Sequence, residues 1–221
     1  MLPLIVLSPL ALGAPPEALL PLVDRVSLPV AWSQEALARG VEGGASVPAC
    51  RPFAEGLVVC LTVPAGEGRR LVTVADLEAW EVPQSEAMSL AKARMAEGIT
   101  AARPEVVPIP DDPRTYLLSA VGDGLDQAAL FHPAALAARF GGQPFAVGIP
   151  TRDVLIAMPL GDPELQQMVA VGVRRLWEGA EEPVSPAMYA WDGAAWQVWG
   201  EAQRVVKPDP ALPTSPEGST P

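Results

Sequence analysis

A chain of 221 residues, 49% of them apolar, is long enough to bury one substantial core and short for two, and wholesale disorder is excluded. Its formal charge of −11, from 26 acidic and 15 basic residues, repels phosphate backbones, and Arg69-Arg70 and Arg174-Arg175 are isolated basic pairs; nucleic acid is not an expected partner. One histidine and two cysteines cannot supply a four-ligand zinc site, and a Ser-His-Asp triad would have to use His132 as its base.

Residues 2–13, LPLIVLSPLALG, form an apolar run followed by Ala14-Pro15-Pro16. Two readings stay open. The run is either a signal-peptide core cleaved near Gly13/Ala14, which places the protein outside the cytoplasm, or a buried first segment of a cytoplasmic protein. It lacks a basic lead and is too short to span a bilayer, so no stable membrane insertion is expected. Glu17 to Leu28 reads as a short helical or extended lead, and Trp32 to Val41 as a short helix broken by Gly43-Gly44.

Leu57 to Val63 is an apolar, β-branched run with the character of a central strand, and Arg69 to Val74 reads as the next. The two cysteines are symmetric about Glu55. If Ala54-Glu55-Gly56 turns a hairpin, Cys50 and Cys60 oppose each other with Cα atoms about 4.5 to 5.5 Å apart. They then either form a disulfide or lie reduced as two small buried hydrophobes.

Asp76 to Trp80 and Gln84 to Gly98 read as helical, with Met88, Ala91, Met95 and Ile99 on one buried stripe. A proline-rich connector (103–113) precedes a strand over 114–121. Asp126 caps a short helical turn, and His132-Pro133 restarts the helix, which puts His132 at a cap and not in a cleft. Phe145–Ile149 and Val154–Met158 form a hairpin with the polar tip Pro150-Thr151-Arg152-Asp153. Asp162-Pro163-Glu164 starts a helix whose buried face is Leu165, Met168, Val169, Gly172, Val173 and Leu176. Met188 to Trp199 is a last hairpin turned at Asp192-Gly193, rich in tryptophan. Residues 201–221 are Pro/Ser/Thr-rich and read as a disordered tail.

Four stretches taken together, Val72–Met95, Arg114–Phe131, Pro144–Ala157 and Pro183–Val198, resemble a family of uncharacterised bacterial proteins typified by YtpQ. They occur in that family's order, with Leu20–Pro29 a weaker fifth match. Two departures stand out: a longer helical N-terminal portion is absent, and Ala128-Ala129 replaces the Ser/Arg pair expected after Gly-Leu-Asp. The resemblance implies a fold and an order of elements. It implies no reaction.

For chemistry, Gly122-Asp123-Gly124 lacks the lysine of a phosphate loop and the third glycine of a dinucleotide fingerprint. Asp123 and Asp126 do not make a regular cation-binding loop. Arg152-Asp153 between two buried strands could hold a carboxylate or close its own turn. Trp191 and Trp196 could stack a ligand or pair across strands. No catalytic residue, metal ligand or cofactor is assigned.

The expected architecture is α+β: a single domain over 15–200, with a mixed or antiparallel sheet and three main helices mostly on one face. The leading functional expectation is a non-catalytic binding or adaptor domain holding a protein partner, with an exposed apolar patch around Trp191 and Trp196. The alternative is a small hydrolase or ligand-binding enzyme built on Asp123, Asp126, Arg152 and Asp153.

Overall fold

The computed structural model describes residues 19–25, 47–66, 68–99 and 103–199. The N-terminal apolar run, the helix expected at 32–41 and the tail at 201–221 lie outside the described residues. Within them the protein is α+β, and every strand pairing is antiparallel.

The strands form two sheets where one was expected. The smaller is centred on β3 (Leu57–Ala65), flanked by β1 (Leu20–Arg25) and β2 (Cys50–Ala54), with β4 (Gly68–Leu71) pairing with β3 near its end. Seven consecutive buried residues in β3 explain its central place, since a strand covered on both faces has no polar alternation to show. The register places Cys50 opposite Cys60, and the two are joined by a disulfide with Cα atoms 4.0 Å apart.

The larger sheet contains β5 (Glu105–Pro108), β6 (Thr115–Ser119), β7 (Phe145–Thr151), β8 (Val154–Pro159), β9 (Met188–Trp191) and β10 (Trp196–Trp199). Its spatial order is β10-β9-β7-β8-β6-β5. Strand alternation sorts its side chains onto two faces. Phe145, Val147, Ile149, Leu155, Ala157 and Tyr189 join a core shared with β1, β3 and the helices α1 (Val74–Ala79), α2 (Gln84–Arg94), α3 (Ala128–Phe131) and α4 (Pro133–Arg139). Ala146, Ile156, Met158 and Met188 form a separate core with α5 (Pro163–Gly179).

Helices therefore lie on both sides of the large sheet, α1 to α4 sharing one core and α5 covering the opposite face. The physical reason is β7 and β8, whose residues are buried on both faces and need cover on both. Gly148 lets α5 sit close: a Cβ there would lie 2.5 Å from Val173 Cγ2 and 2.8 Å from Met188 Sδ.

The start of α5 follows the expected chemistry. Asp162 accepts hydrogen bonds from the Glu164 and Leu165 amides, with proline at the start of the helix. Its expected buried face is corrected. Leu165, Val169, Val173 and Trp177 are buried, whereas Met168 is 40% and Leu176 46% exposed, with Gly172 between them on the outer side. The apolar residues of this helix span an arc wider than the sheet covers.

Candidate functional site

The polar residues singled out in the sequence gather where the β7–β8 tip meets the end of β1 and the 121–126 loop. Asp126, 2% exposed, is the centre of one half. Its Oδ1 accepts from Ser119 Oγ (2.7 Å), the Val121 amide (2.9 Å) and Arg103 Nη2 (2.9 Å), and its Oδ2 from the Gly122 amide (2.8 Å). Asp126 therefore braces the preceding loop; the helical turn after it begins at Gln127 without a side-chain cap, which corrects its expected role. Arg103 also grips Asp123 with two hydrogen bonds of 2.7 Å and donates to Ser119 Oγ at 3.0 Å.

This wiring sets the protonation states. Hydrogen bonding from Arg103 draws the Asp123 carboxyl down to about 2, against the opposing effect of burial. For Asp126, burial pushes the carboxyl upward, but the bonds from Val121, Ser119, Gly122 and Arg103 together outweigh it and leave the group below its ordinary value. A carboxylate so fully engaged is poorly suited to accept a proton from a substrate.

Arg152 organises the other half. It does not close its own turn on Asp153. Its Nε donates to Asp24 Oδ2 and its Nη1 to Glu182 Oε2, each at 2.5 Å. Asp24 is 2% exposed and lies on β1, so the ion pair ties the hairpin tip of the large sheet to the small one. Asp153 is exposed and makes no hydrogen bond among the described residues. Its carboxyl is held above the ordinary aspartate value by surrounding protein and then by the charge of Asp126, with Arg152 pulling the other way. The four expected residues are thus neighbours, but Arg103 already neutralises Asp123 and Asp126, and Arg152 is engaged by Asp24 and Glu182.

Sequence reasoning missed Arg103, Asp24 and Glu182 here, and Gln127 beside them. Gln127 Oε1 accepts from the Val23 amide (2.7 Å) while its Nε2 donates to the Val23 carbonyl (2.8 Å). A buried glutamine in an otherwise apolar Leu-Asp-Gln-Ala-Ala-Leu segment was the one available signal.

The aromatic hairpin builds a different place. Trp196 is 4% exposed and its indole N–H donates to the Leu130 carbonyl at 3.0 Å, so it belongs to the core and forms no exposed patch. Trp191 is half-buried, 5.3 Å from Trp196 between ring centroids. Together with Phe53 of β2 and Phe131 of α3, whose centroids are 5.8 Å apart, it lines a cleft of about 340 Å³. None of Asp123, Asp126, Arg152 or Asp153 reaches this cleft.

Two cations complete the lining, Arg51 and Lys92. Lys92 Nζ stands 5.8 Å from the centre of the Phe131 ring. Burial, and then the positive charge of Arg51, lower the Lys92 ammonium below its ordinary value. Neither cation has a salt bridge among the described residues. In a chain with an excess of eleven negative charges, two like cations left facing one aromatic cleft stand out. His132 is at the start of α4, its ring nitrogen 3.0 Å from the Lys92 carbonyl, where it supports the same corner.

No group of three or more His, Cys, Asp or Glu among the described residues is placed to hold a metal ion, and no described helix is long and apolar enough to cross a membrane. No protein-family model matches the chain, and the searches of curated proteins and of solved structures give no match either.

Proposed function

We propose that this protein is a non-catalytic binding domain and that its recognition site is the cleft of Phe53, Phe131 and Trp191 rimmed by Arg51 and Lys92. The occupant is an acidic segment of a partner protein that also presents an aromatic or large apolar side chain. The observation that carries this reading is the pair of cations without an acidic partner among the described residues, set beside half-exposed rings. A carboxylate entering there gains charge-assisted hydrogen bonds from Arg51 and relieves the repulsion between Arg51 and Lys92, while a ring stacks on Trp191 or Phe131. The hydrolase reading draws less support, because Asp123, Asp126 and Arg152 are consumed in internal ion pairs. Similarity in motif order to the YtpQ-like proteins is proposed for the fold alone.

The test uses a blocked peptide that alternates glutamate with phenylalanine, and its lysine counterpart, with tryptophan fluorescence as the readout. The acidic peptide should bind saturably, and the Arg51→Ser/Lys92→Ser variant should bind it about tenfold or more weakly, a difference of at least about 1.4 kcal/mol. Added salt should weaken the wild-type complex. Equal response to both peptides, or undiminished binding by the variant, would remove the basis for the assignment.

A further inference from the structure

The outer face of α5 raises a separate question. Met168 and Val171 are 40% and 43% exposed, two large apolar side chains on the solvent-facing side of a 17-residue helix. With Glu164, Gln167, Gly172 and Arg175, Met168 and Val171 line a shallow groove of about 520 Å³. Positions 164, 168, 171 and 175 recur at spacings of four, three and four, the seam along which one helix packs on another.

Gly172 sharpens the point. Glycine in a helix interior costs about 1 kcal/mol relative to alanine, so it calls for a reason. The protein's own packing gives none: a Cβ at Gly172 meets nothing within 4 Å. Gly148, by contrast, is required by the close approach of Val173. A glycine with open space above it on an apolar helix face suits the approach of a backbone from outside the chain.

The seam is also self-complementary when read in reverse. About a two-fold axis passing between Val169 and Ala170, Met168 of one copy faces Val171 of the other, Gln167 faces Gly172, and Glu164 faces Arg175. At 1.5 Å per residue, Glu164 and Arg175 lie about 16 Å apart along the helix, so each end of an antiparallel pair carries one opposite-charge contact. Arg114 engages Glu164 through Oε2 at 3.0 Å, and Glu164 stays 84% exposed.

We propose that the outer face of α5 pairs with the same face of a second copy of this chain, antiparallel and isologous, with Met168 and Val171 at its centre and Glu164–Arg175 contacts at its ends. The occupant is a second copy because the charge order and the size order of the seam both invert onto themselves, as a two-fold interface requires. One helix pair lies at the small end of specific interfaces, so the association is weak and concentration-dependent. This inference is independent of the cleft, which shares none of its residues.

The test is sedimentation velocity of the full chain from about 10 μM to about 1 mM, a range that brackets weak self-association. The weight-average mass should climb toward twice the monomer. Gly172→Arg, for which the fold has room, should weaken dimerisation about tenfold or more with circular dichroism unchanged and the melting temperature not lowered. Arg175→Glu should weaken it too, and Glu164→Arg/Arg175→Glu should restore it, since the swapped charges again oppose. A chain that stays monomeric to the top of the range overturns the proposal. So does a Gly172→Arg variant that dimerises like the wild type, or a charge swap that recovers nothing.

Discussion

Replacing Asp126 with alanine puts a fully buried carboxylate that accepts four hydrogen bonds to a quantitative test. The substitution removes the acceptor of four hydrogen bonds: two backbone amides, the Ser119 hydroxyl and one arm of Arg103. Each neutral bond contributes about 1 kcal/mol net and the charged one about 2, and the side chain is fully buried, so the donors are left in a site that water must enter to satisfy. Arg103 keeps its paired contact with Asp123, which limits the penalty of an unpaired charge. The expected loss is about 3 to 5 kcal/mol, in the range found when one partner of a buried ion pair is deleted. With a urea m-value near 2 kcal/mol/M for a chain of this size, the unfolding midpoint should fall by about 2 M at unchanged slope. Asp123→Ala, whose side chain is 42% exposed, should cost only about 1 kcal/mol. A loss below about 1 kcal/mol for Asp126→Ala would refute the account of the loop as braced by this carboxylate.

Four further outcomes follow from the structure. Asp123 has a depressed folded-state value of about 2, so its contribution is present above pH 4 and is lost as pH falls toward 2; solvent screening limits it to about 1 kcal/mol, read from urea midpoints across that interval. Asp153 has the opposite sign: its raised value means ionisation opposes folding, so Asp153→Asn should raise the melting temperature at neutral pH and leave it unchanged near pH 3, and a lower melting temperature at neutral pH would show that the carboxylate is used. Gly148→Ala forces a Cβ against Val173 and Met188, and overpacking of this kind should cost about 1 to 3 kcal/mol in thermal unfolding, with the near-ultraviolet spectrum of Trp177 altered as α5 shifts. Reducing the Cys50–Cys60 disulfide frees a loop with a sequence separation of 10 and should cost about 2 to 3 kcal/mol in urea unfolding; no change on reduction would refute the expectation that the bridge stabilises by restricting the unfolded chain.

What the sequence revealed depended on the range of the interaction. Leu57 to Val63, the Asp162-Pro163 helix start and the Asp192-Gly193 turn are local signals, and each appears where local chemistry places it. The Cys50–Cys60 pairing was legible for the same reason, because a ten-residue separation about a turn leaves little choice of register. Glu105–Pro108 looked like a connector because prolines mask strand character, yet an edge strand needs hydrogen bonds on one side only and tolerates them. The burial of α5 was misjudged at Met168 and Leu176 because periodicity measures how wide an apolar arc is, not how much of it the protein's own sheet will cover. Asp123, Asp126, Arg152 and Asp153 were identified as a polar group, but their partners Asp24, Arg103 and Glu182 come from distant segments that no spacing rule connects. Trp196 illustrates the limit from the other side: its type suggested exposure, and a single carbonyl, that of Leu130, draws it inward.

The side chain of Gln127 does for β1 what a neighbouring strand would do, taking both the amide and the carbonyl of Val23 across a separation of 104 residues. In the ladder Val23 lies opposite Val59, yet its amide bonds to Gln127 and so is directed away from β3. That proton consequently keeps a different clock from its neighbours. Backbone amides held within the β1–β3 ladder exchange with solvent when the small sheet opens, whereas the Val23 amide exchanges as soon as the 121–131 segment lifts away, even with the ladder intact. One amide resonance therefore reports the seating of the two halves of the molecule against each other, separately from the integrity of either.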